Sequence, residues 1–154
     1  MRVCTTAGVL NVLPAMKTAA TTSGDTGKLG DVIDKLTPSL WPSRWIDDYH
    51  LQPSLGQMVF DNVNNAVIEL FGMYQDPGSL VPKDQLLSIL NKLAQATEQL
   101  ASIAIMDAAA RNGNANEIAL AKQELANGMN DLSSGNFNTV IGHFKNAWLD
   151  AELS

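Results

Sequence analysis

The chain has 154 residues, 45% of them hydrophobic and 6% aromatic, with a formal net charge of -6. That length is enough for a core without disulfides or a bound metal, and a composition led by Leu and Ala favours helix-on-helix packing over a β-sandwich. Residues 31–154 hold 15 acidic and 7 basic side chains, an acidic surface that argues against nucleic acid or an anionic membrane as partner.

Residues 1–30 are different in character: Arg2, Lys17 and Lys28 stand against Asp25 alone. "TTSGDTGKLG" at 21–30 reads as a flexible linker, and "RVCTTAGVLNVL" as a short strand or a segment that docks on a neighbour. The expectation is an extended arm over 1–30, followed by a helical domain over 31–154. Cys4 is the sole cysteine, which excludes an intramolecular disulfide and a Cys-based zinc site. The N-terminal stretch makes a poor secretory signal peptide, and no apolar run approaches the roughly 20 residues of a membrane span, so membrane insertion is not expected.

"DVIDKL" at 31–36 predicts one or two helical turns, ended by Thr37-Pro38 because a residue before proline avoids the α region. From about Gly56 to Tyr74, Val59, Val63, Ala66, Val67, Leu70 and Tyr74 step by three and four along one helix face. Met58, Phe60, Ile68, Phe71 and Met73 widen that face, as in a helix covered on two sides. "DPGSLVP" ends it. The longest helix follows, about Pro82 to Asn112, with a seam of Leu86, Leu90, Leu93, Thr97, Leu100 and Ala104. Asn114 with Glu117 forms a capping-box-like start for a helix over 115–133, facing inward through Ile118, Ala121, Leu125, Met129 and Leu132. A last helix, about Phe137 to Leu153, turns Phe137, Val140, Ile141, Phe144, Trp148 and Ala151 inward. Short links make successive helices antiparallel. The predicted fold is therefore all-α: an up-and-down four-helix bundle with an N-terminal extended arm and a Trp-rich strap over residues 31–55.

The strap carries the densest chemistry, "WPSRWIDDYHLQP" at 41–53. Asp47, Asp48 and His50 offer oxygen and nitrogen ligands for calcium or zinc, or paired carboxylates for acid–base work. They lack both the D-x-D-x-D-G regularity of a calcium loop and the His-x-x-x-His spacing of a helical zinc site. The competing reading has Trp41, Trp45 and Leu51 plugging the open end of the bundle while Asp47 or Asp48 accepts backbone N–H groups. Trp41, Trp45 and Tyr49 are the candidate interaction residues. His143 is a further candidate ligand, should the strap pass close to it. No G-x-S-x-G or phosphate-binding loop is present, so no catalytic residues and no cofactor are expected.

Residues 132–151, "LSSGNFNTVIGHFKNAWLDA", resemble one hairpin of a tetratricopeptide-type repeat, with no second copy at the expected period of about 34 residues. More broadly, "LWPSRWIDDYHLQPSLGQMVFDNVNNAVIELF", a long Leu/Ala helix and "GNFNTVIGHFKNAWLDAE" are together similar to small helical accessory modules of secreted or surface-attached bacterial and archaeal proteins. The shared element is Trp45, Asp47, Asp48, His50 and Leu51, then Val59, Phe60 and Asp61. That resemblance implies an extracellular, non-enzymatic role in binding a protein or surface polymer and brings no catalytic residues with it. The alternatives are a structural subunit of a homo-oligomer or filament assembled through the N-terminal arm, and a metal-binding domain.

Overall fold

The computed structural model describes residues 6–154. Six helices run through them: α1 (Ala7–Ala19), α2 (Ser23–Leu36), α3 (Gln57–Gln75), α4 (Lys83–Ala110), α5 (Ala115–Ser133) and α6 (Val140–Leu153), with 3-10 turns at Thr37–Leu40 and Pro42–Arg44. Among the described residues there is no strand, and no helix long and apolar enough to cross a membrane.

The N-terminal segment corrects the expectation of an extended arm. From Ala7 it is helical, and the boundary expected at residue 30 falls inside α2. Val9, Leu13 and Met16, spaced by four and three, are buried on α1, as are Leu29, Val32 and Leu36 on α2. The stretch read as a linker begins with a cap: Thr22 Oγ1 accepts the N–H of Asp25 at 3.1 Å, and Asp25 lies in the first turn, where a carboxylate suits the helix dipole. Asp25 is itself buried, and it accepts the N–H of Leu80 at 2.9 Å, which ties the start of α2 to the loop before α4. Burial alone would raise its pKa. The Leu80 N–H and the Lys28 ammonium are among the groups that outweigh burial and hold the pKa below the ordinary carboxylate value. The strand expected within residues 2–13 is helix from Ala7 on, and its first residues lie outside those described.

α2 packs along α3, and α1 packs on α2 and touches α4. On the other side, α6 lies against α4, α5 and α3. The two groups share one apolar core that runs from Val9 to Ala151. The expected seam of α4 is buried along its length, and the hydroxyl of Thr97 is satisfied by the carbonyls of Leu93 (3.2 Å) and Ala94 (2.8 Å). The inward residues expected for the last helix are also buried, with Phe137 just before α6 and its ring 5.5 Å from that of Phe71.

α5 departs from its expected face. Met129 is exposed, and the buried positions are Ala121 and Gly128. The reason is close approach to α6: a Cβ at Gly128 would stand 2.5 Å from Phe144 Cε1. Leu125, Ile118 and Leu132 pack only partly against the core, so α5 is an outer helix of the fold.

Candidate functional site at the strap

The strap begins where Pro42 and Pro38 confine the chain to short 3-10 turns, and it closes on itself through one antiparallel bridge, Trp45 to Leu51. Ile46 N–H donates to His50 O at 2.8 Å, and Gln52 N–H to Arg44 O at 2.9 Å. Asp47 makes the turn between them. Its Oδ1 accepts the backbone N–H groups of Tyr49 (2.7 Å) and His50 (2.9 Å), the local bonding that favours aspartate in turns.

Trp45 anchors this small loop. Its side chain is buried, and its indole N–H donates to the carbonyl of Ser39 at 2.8 Å. Leu51 is buried beside it, and Gly56 lets the chain leave under the indole of Trp148: a Cβ there would lie 2.6 Å from Trp148 Cζ2 and 2.7 Å from Leu51 Cβ. Arg44 is also buried. Its guanidinium donates to Asn62 Oδ1 and to Met58 O, and it lies 5.0 Å from the ring of Trp41.

The three candidate interaction residues therefore take different places. Trp45 belongs to the core, whereas Trp41 and Tyr49 are 51% and 53% exposed, with Ile46 at 59%. Placing Trp41 in a plug is thus corrected: its ring stacks on the surface side of Arg44, and Trp45 with Leu51 fills the interior.

The turn forms one wall of a cleft of about 270 Å³. Ile46, Tyr49 and His50 face Leu100, Ile103 and Asp107 of α4 and Arg111 just past its end, and Trp148 and Glu152 of α6 also line it. His50 is held at both ends. Nδ1 lies 2.8 Å and 2.7 Å from the two carboxylate oxygens of Asp47, and Nε2 lies 3.1 Å from Asp107 Oδ2. The bond to Asp47 raises the His50 pKa, burial opposes this, and the charges of Asp47 and Asp107 carry the result above the ordinary imidazole value. Asp47 moves the other way, lowered by the Tyr49 N–H and by the His50 ring. Burial raises Glu152, against the nearby Arg111 charge, and Asp107 raises it further.

Of the candidate ligands, Asp47 and His50 come together and bond to each other, while Asp48 is exposed at the tip of the turn. Among the described residues no group of three His, Cys, Asp or Glu side chains is placed to hold a metal ion. The local geometry is that of a capped turn with a clamped imidazole. His143 does not join His50. Its Nδ1 lies 2.8 Å from Glu124 Oε2 and its Nε2 3.4 Å from Asp131 Oδ2, both on α5.

Asp107 and Arg111 escaped the sequence reading. Asp107 sits in the last turn of α4, where a carboxylate opposes the helix dipole, and no spacing in the sequence marks it as the partner of His50. Compared with known protein families, curated proteins and solved structures, the chain gives no match.

Proposed function

We propose that the domain is a non-catalytic recognition module that presents Trp41, Ile46 and Tyr49 to a protein or surface-polymer partner, with the adjoining cleft receiving a protruding group of that partner. One observation carries this reading: two rings and an isoleucine stand in solvent on a loop whose own base is locked by buried Trp45, Leu51 and Arg44. Rigid, exposed aromatic side chains lose little conformational freedom on binding and are enriched at interaction hot spots.

The lining of the cleft supports the same reading. It sets the apolar Ile46, Leu100 and Ile103 beside the polar Tyr49, Asp107 and Arg111, the mix of apolar surface and a few polar groups that a binding cleft uses. The finer architecture belongs to the same reading: α3 to α6 as an up-and-down four-helix unit, with α2 added along α3 and α1 on α2. An extracellular setting rests on the resemblance of residues 31–152 to surface-attached modules. We prefer the recognition reading to the filament alternative because the segment expected to dock is helical from Ala7 and buries Val9, Leu13 and Met16 in the domain.

The test is retention on panels of immobilised polysaccharides and surface proteins, comparing the parent chain with Trp41→Ala/Tyr49→Ala. Retention of the parent and loss by the variant is the expected result. Light scattering on both chains separates a second copy of the protein from a foreign partner.

A further inference from the structure

We propose that His50 is a proton-operated latch that docks the strap on α4 and thereby sets the mouth of the cleft. The argument starts from the ring. An imidazolium has an N–H on each nitrogen, while a neutral imidazole has one N–H and one lone pair. Here both nitrogens face carboxylate oxygens, Asp47 at Nδ1 and Asp107 at Nε2. The charged ring alone can donate to both.

Loss of the proton must therefore turn one of these contacts into a lone pair facing a carboxylate. The two are not equivalent. Asp47 lies in the same turn and is fixed independently by the N–H groups of Tyr49 and His50. Asp107 is on another element, and its contact with His50 spans strap and α4. The neutral ring keeps its N–H at Nδ1 and gives up Asp107, which releases the strap from α4 at that point. The other titratable or charged groups lining the cleft beside the ring are Tyr49 on the strap, Arg111 just past the end of α4 and Glu152 on α6. Glu152 adds negative charge that favours the closed latch, and Arg111 opposes it.

The sign follows from His50 being held above its ordinary value: the latch is closed at acid pH and opens as pH rises through the folded-state titration of the ring. The opening changes the wall formed by Ile46 and Tyr49, so the inference extends the recognition reading to its control. Its test uses no ligand, and failure of one idea is distinguishable from failure of the other.

Nuclear magnetic resonance of the full chain, labelled with nitrogen-15, supplies the readout. His50 is expected to titrate above the ordinary imidazole value of about 6.5, with the amide signals of Ile46, Gln52 and Asp107 moving at the same midpoint. Asp107→Asn should lower that midpoint, and His50→Gln should fix the strap signals near their high-pH positions at every pH. The side chains of His50 and Asp107 are 41% and 42% exposed, so neither substitution empties the core. A midpoint that Asp107→Asn leaves unchanged, or strap amides that ignore the titration, overturns the latch.

Discussion

Replacing Trp45 by alanine removes the anchor of the strap, and the structure sets the size of the effect. The side chain is 7% exposed. An indole typically buries 150–250 Å², which at about 25 cal/mol per Å² corresponds to about 4 to 6 kcal/mol before the alanine methyl and collapse of the cavity are allowed for. The carbonyl of fully buried Ser39 also loses its indole donor, at a further cost of about 1 kcal/mol. Relaxation of the surroundings offsets part of the sum, and the expected net loss is about 4 kcal/mol, within the range for large aromatic truncations. Trp45→Phe keeps much of the apolar area but not the hydrogen bond and should cost about 2 kcal/mol. Trp41→Ala, with half the side chain already in solvent, should cost under about 1 kcal/mol. Urea melts of the four chains, compared at equal m, give the values. Equal losses for Trp41→Ala and Trp45→Ala, or a Trp45→Ala loss below about 1.5 kcal/mol, would refute the division of the two tryptophans into surface and core.

Gly128→Ala and Gly142→Ala should move in opposite directions. Each gains up to about 1 kcal/mol of helix propensity, but the first places a methyl 2.5 Å from Phe144 and should lose about 1 to 3 kcal/mol net, while the second meets nothing within 4 Å and should gain; thermal melts suffice to check the pair. Asp25→Ala leaves the Leu80 N–H without its acceptor and should cost about 1 to 3 kcal/mol near neutral pH. Because the folded carboxyl titrates below the unfolded one, that contribution is full above about pH 4 and fades as pH falls through the folded value, so the gap between parent and variant should narrow in acid. Urea midpoints across the acid range test this, and a gap that stays constant would contradict it.

The four C-terminal helices were legible because their apolar spacing is long, regular and bounded by punctuation: Pro82, Asn114 and the Gly135 turn all fall where elements change. Of the N-terminal helices only the 31–36 end of α2 was legible; the rest was hidden by composition. Gly24, Gly27 and Gly30 lower the intrinsic helix propensity of α2, and packing of Leu29, Val32 and Leu36 against α3 overrides it. Within α5, Met129 and Gly128 exchanged roles because distance to α6, which spacing does not encode, decided between them. At the strap, the turn-forming Asp47 and a buried tryptophan were readable from residue type, but the pairing of His50 with Asp107 joins residues far apart in sequence and depends on where the strap crosses α4.

The most direct test of the recognition reading is the apparent Kd of the parent chain and of Trp41→Ala/Tyr49→Ala for the same immobilised partner, with urea midpoints recorded alongside. Loss of two exposed aromatic hot-spot side chains should weaken binding by at least about 30-fold, or about 2 kcal/mol, at a nearly unchanged midpoint. A variant that stays folded and binds its partner as tightly as the parent would contradict the account.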